Sequence, residues 1–227
     1  MLPSKPTQQL PDGYGLLDIL DLSGNTGLAI VINLIGLVIL IGSGALFFWL
    51  LQLVRPALSV DALQLSLKTV DLDGFLFLLL NFLGINLLVI ILHEAVHGLC
   101  FWLFTGRRPK FGFRGFYAFA AAPNWYLPKG LYLVVGLAPL VLLTILGWAA
   151  LLITPVPWIL PILLFVILNF AGAVGDMYTV IWLLRKRERV FVRDFGNRMC
   201  IYGLIEAQGI IQQAGGNENK ISGQDYF

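Results

Sequence analysis

Four long apolar runs, about Gly27 to Val54, Phe75 to Phe104, Leu131 to Ile153 and Trp158 to Leu184, dominate this sequence of 227 residues. Each exceeds the roughly 20 apolar residues needed to cross a hydrocarbon core. In lipid, every backbone N–H and C=O must find its partner inside the segment, so each run is expected to be a helix. The composition agrees: 58% of residues are hydrophobic and 12% are charged, well outside the range of soluble domains. The expected fold class is an all-α membrane protein, one integral membrane domain over residues 1–227 with about four transmembrane helices. The first run follows an acidic stretch instead of a basic one and is too long for a signal-peptide core, so it is expected to remain in the mature chain. TPVP at 154–157 leaves space for a tight turn only, which makes the last two spans an antiparallel hairpin.

Basic residues set the orientation. Lys5 precedes the first span; Arg107, Arg108, Lys110, Arg114 and Lys129 follow the second; seven more follow Leu184. The opposite side holds only Arg55 and Lys68. The expectation is a multi-pass protein of the cell membrane, with both termini, the second connection and the tail 185–227 in the cytoplasm. RRPK and RKRER read as anchors beside anionic headgroups. No nucleic-acid module is visible, and the bilayer is the expected surrounding partner. Cys100 and Cys200 form no metal spacing and read as packing thiols.

Within the four runs, the only side chains of the Asp, Glu, His, Lys and Arg types are His93, Glu94, His97 and Asp176. Each costs about 2.5 to 3.5 kcal/mol in hydrocarbon on insertion scales, so four such groups demand mutual partners or a metal. In HEAVH, residues i and i+4 lie on one helical face, and both imidazoles can grip one ion. Glu94, beside the first histidine, is placed to take a proton from water, as in the HExxH pattern. Tetrahedral zinc then needs a third protein ligand, and Asp176 is the candidate. Counted back from the basic flanks, His97 lies ten residues before Arg107 and Asp176 nine before Arg185, so both reach similar depth. Non-haem iron uses a similar ligand set, but the adjacent glutamate fits hydrolysis better.

Two further features sit close to these residues. Asn169 precedes Asp176 by seven positions, two helical turns; its carboxamide is a candidate for bonding substrate or an oxyanion, with an interhelical polar contact as the alternative. KFGFRGFYAFAAAPNWY alternates Phe111, Phe113, Gly115, Tyr117 and Phe119 with smaller or charged residues, the period of a strand. As a short interfacial β segment it could offer an edge to an extended substrate or serve as an aromatic anchor. LQLSLKTVDL at 63–72 alternates as well, on the outer side.

HEAVHG in a span, GRRPKFGF after it, APNWYLP, GLAPL opening the third span, NFAGAVGD in the fourth and VRDFGNRMCIY in the tail together resemble a bacterial family of zincin-type peptidases of unknown function. More broadly, the layout is similar to site-2 protease intramembrane metalloproteases. That resemblance implies His93, His97 and Asp176 as ligands of one zinc ion and Glu94 as catalytic base. The site-2 group has a proline-containing stretch before Leu-Asp-Gly, where this chain has Val174 and Gly175 before the aspartate. The expected activity is zinc-dependent hydrolysis of peptide bonds in a membrane or membrane-proximal protein substrate. A metal-binding membrane protein without catalysis and a metal-dependent lipid hydrolase are the alternatives.

Overall fold

A computed structural model of the chain describes residues 5–21, 24, 26–56, 71–114, 117–186, 189–196 and 198–205. The alternating stretch at 63–70 and the tail beyond 205 lie outside these residues. Helices α1 (Thr26–Val54), α2 (Leu72–Thr105) and α3 (Lys129–Ile153) coincide with the first three apolar runs. The fourth run forms two helices, α4 (Val156–Gly172) and α5 (Val174–Leu184), joined at Ala173. All four runs are long and apolar enough to cross a membrane, the layout of a multi-pass membrane protein.

Local chemistry sets the helix ends. Asp71 caps α2 by accepting a bond from the Gly74 amide at 2.9 Å, and Gly106 closes it in a left-handed conformation with φ of 66° that costs glycine nothing. Pro155 precedes α4, where the fixed proline φ suits a helix start. Thr154 and Pro155 alone separate α3 from α4, which pack as an antiparallel hairpin. Helix α4 also contacts α1 and α2. At the loop end of the hairpin, Arg55 donates to the carbonyls of Leu151 and Thr154 at 3.2 and 2.7 Å, tying the end of α1 to the end of α3.

The sequence reading did not foresee the sheet at the other end. Strands β1 (Tyr14–Asp21), β4 (Leu127–Pro128), β5 (Val190–Asp194) and β6 (Arg198–Leu204) form one antiparallel sheet in the order β1-β6-β5-β4. Because β1 precedes α1, β4 belongs to the connection after α2 and β5–β6 follow α5, all three segments stand at the same end of the helix bundle. Leu20, Leu127, Val192 and Ile201 of this sheet share a buried core with Phe101 of α2, Tyr132 of α3 and Leu183 of α5. The start of the tail is therefore part of the folded body.

The aromatic segment after α2 is a hairpin and not one strand. Strands β2 (Lys110–Arg114) and β3 (Tyr117–Ala121) pair antiparallel in a register that sets Phe111 against Ala120 and Gly112 against Phe119. The register changes the parity from one strand to the next, so Phe111 and Phe113 lie on one face and Phe119 on the other.

Candidate metal centre

In α2, the apolar seam recurs about every 3.6 residues, burying Val89, His93, Val96, His97 and Phe101. The seam points both histidines at the α3–α4 hairpin. Asp176 sits in the first turn of α5, just past the break at Ala173. Its Oδ2 lies 2.8 Å from His93 Nε2 and 3.3 Å from His97 Nε2. These three residues form a group able to hold a metal ion, each offering one donor atom, with the donors within 4.8 Å of one another.

The far nitrogens of the two imidazoles decide what the near ones can do. His93 Nδ1 lies 3.2 Å from Asn169 Oδ1. The Asn169 amide nitrogen in turn donates to Thr144 Oγ1 at 3.3 Å and to the Pro139 carbonyl at 3.5 Å, which leaves Oδ1 as an acceptor. His97 Nδ1 lies 3.0 Å from the Val135 carbonyl, which can only accept. Both Nδ1 atoms thus carry a proton, so in the neutral imidazoles both Nε2 lone pairs face Asp176. Two lone pairs and a carboxylate at such distances repel one another unless a cation sits among them. Nitrogen, nitrogen and carboxylate oxygen is a zinc donor set, with the second imidazole nitrogens bonded outward as such sites require. The residues fit the metal.

Glu94 is partly buried beside this group and lines an open cavity of about 140 Å³ with His97, Asp176, Phe119 and Ala120. The backbone N–H of Ala120 interacts with its carboxylate. That N–H therefore points away from β2, and the edge of β3 that pairs with no strand among the described residues faces Glu94.

The hairpin reaches the site through close contacts at three glycines. The Phe111 ring lies where a Cβ on Gly98 would be, 2.3 Å from its Cζ, and Phe119 fills the space that side chains on Gly112 and Gly196 would need. Phe113 is 70% exposed and turned away from the core; the Tyr117 side chain lies outside the described set. Asn169 is wholly buried, with both ends of its carboxamide used inside the protein. It takes the interhelical option and orients His93 instead of facing the cavity.

Tyr132, Asp194 and Arg198 also line the cavity, and the sequence reading gave them no role. The Tyr132 hydroxyl donates to Asp194 Oδ2 at 2.5 Å, and Asp194 Oδ1 accepts from the Gly196 amide at 2.7 Å. Burial pushes the Asp194 carboxyl above the ordinary carboxylate range, against these two bonds. The signal for it was a charged residue at the end of an apolar alternation, VFVRD, which is easily taken for a tail.

Two histidines on one helix, an aspartate from a later apolar helix and a glutamate beside the first histidine make the donor arrangement that zincin-type metallopeptidases use. Residues 86–191 match the model of a family described as "Putative zincin peptidase", a stretch running from before His93 to past Asp176. Zinc is the metal that this family description implies. Searches of curated proteins and of solved structures gave no match.

Proposed function

We propose that the protein is a membrane-embedded zinc endopeptidase that cleaves peptide bonds within or beside the bilayer, with one zinc per chain and the sheet end in the cytoplasm. One observation carries this reading: three metal-type donor atoms converge, with a glutamate beside them at a cavity, in apolar runs that hold no other Asp, Glu, His, Lys or Arg. The thirteen basic residues that precede the first run or follow the second and fourth, counted in the full sequence, support the orientation. The site-2 protease layout supports the intramembrane setting.

Bound zinc would supply Lewis-acid chemistry, making water acidic and polarising a carbonyl. Glu94 then acts as general base, taking the proton of the attacking water on a carboxylate oxygen and handing it to the amide nitrogen of the leaving group. His93, His97 and Asp176 hold the metal against the end of the cavity. A substrate helix must unwind to expose its carbonyl, because helical backbone in lipid is fully bonded. The edge of β3 beside Glu94, which pairs with no strand among the described residues, would offer that unwound segment replacement hydrogen bonds.

Glu94→Gln separates binding from chemistry. Zinc content should stay at the wild-type level while cleavage of a membrane-helix reporter falls at least about a hundredfold, the scale of general-base assistance. A variant that keeps both its metal and full cellular function would replace the peptidase reading with a binding-only one.

A further inference from the structure

Helix α3 carries Pro139 in its interior, where proline removes a hydrogen bond and opposes the helix. The N–H that residue 139 cannot supply is the one that would bond the carbonyl of Val135, four residues earlier. In a bundle this apolar, a freed carbonyl needs another donor. The Val135 carbonyl has one: His97 Nδ1, at 3.0 Å.

The same proline stands behind the other histidine. Its own carbonyl accepts from Asn169 Nδ2 at 3.5 Å, and this bond, together with that to Thr144, turns Asn169 Oδ1 toward His93 Nδ1. All of these groups are buried except Thr144, which is partly so. We infer that Pro139 is the positioning residue of the metal centre: its missing N–H releases the carbonyl that orients His97, and its carbonyl helps fix the amide that orients His93. The inference rests on the metal-centre reading above and concerns how the ligands are held, not the reaction they serve.

A proline that only bends the helix would have no link to the metal. Pro161 is the internal comparison: it also lies inside a helix, α4, and frees the carbonyl of Pro157, to which no histidine bonds. In a bundle of the full-length chain held in lipid nanodiscs, zinc affinity is read by competition with a chromophoric chelator. The ligand field is read from the absorption of the cobalt(II) form. No substrate is present, so the outcome is independent of proteolysis.

Pro139→Ala restores an N–H that closes the helical bond to Val135 and competes with His97. Zinc affinity should fall about tenfold or more, the scale of losing an outer-shell partner, and the cobalt bands should shift. Thermal stability of the metal-free protein should hold or rise, because alanine favours the helix. Pro161→Ala should leave affinity and spectrum unchanged. Asn169→Ala, which keeps Pro139 but removes its link to His93, should also lose about tenfold or more and covers the case in which Pro139→Ala does not fold. Wild-type affinity and spectrum in Pro139→Ala, an equal loss in Pro161→Ala, or full affinity in Asn169→Ala with Pro139→Ala unfolded would each overturn the inference. Failure of Glu94→Gln to lose activity would leave it standing.

Discussion

The two halves of α2 have nearly the same chemistry and opposite surroundings. In the outer half, Phe75, Phe77, Leu80, Leu83 and Leu87 are all exposed. In the inner half, Val89, His93, Val96, His97 and Phe101 are buried against α3, α4 and the sheet. An apolar side chain facing lipid and one facing protein satisfy the same hydropathy, so hydropathy alone cannot separate them. What separates them is the punctuation of the inner half: two histidines, a glutamate and Gly98, each of which needs a specific neighbour. The outer half has the length and apolarity to span, and the inner half carries the candidate site.

Paired substitutions on this one helix test the difference. Phe101 is 1% exposed and Phe77 66%. Phe101→Ala should lower unfolding stability in detergent by about 3–5 kcal/mol, the cost of emptying a packed aromatic site. Phe77→Ala should stay within about 0.5 kcal/mol. Equal losses would erase the distinction between the halves. A finer comparison uses the two glycines. Alanine gains helix propensity equally at Gly84 and Gly98, but a Cβ at 84 meets nothing within 4 Å whereas one at 98 meets the Phe111 ring. Gly98→Ala should therefore be less stable than Gly84→Ala by up to about 1 kcal/mol, the low end of overpacking, because the exposed Phe111 ring can swing aside. Proteolysis of the β2–β3 hairpin should also speed up in Gly98→Ala alone.

The smallest expected effect belongs to the sheet end. The Asp194 carboxyl is raised by burial, so its contribution to stability is full at low pH and is lost as pH rises through its folded-state value. Melting curves of wild type and Asp194→Asn should diverge in favour of the variant as pH climbs from about 4, the ordinary carboxylate range, toward neutrality. A constant gap across that window would mean that Asp194 titrates normally.

The spans and the candidate donor residues were legible because each rests on a local signal. Apolar length gave the helices to within two or three residues, and ionisable groups stranded in those runs gave His93, Glu94, His97 and Asp176. The sheet was not legible, because β1 pairs with a strand nearly the whole chain away, Tyr14 against Leu204, and short strands carry no mark of their partners. The parity change in the aromatic segment was hidden for a related reason: alternation persists across a two-residue turn while the faces exchange. The break at Ala173 has no proline to announce it. Asn169 was noticed for its spacing from Asp176, but its use as a histidine partner depends on helix packing, which spacing does not specify.

His93, His97 and Asp176 together should hold one zinc ion, and the direct check is the zinc-to-protein ratio of the purified full-length chain beside that of Asp176→Ala, measured by elemental analysis after exposure to equal zinc. The ratio should be near one for the wild type, matching the single three-donor group among the described residues, and most of it should be lost in the variant. Full occupancy in Asp176→Ala would contradict this ligand set.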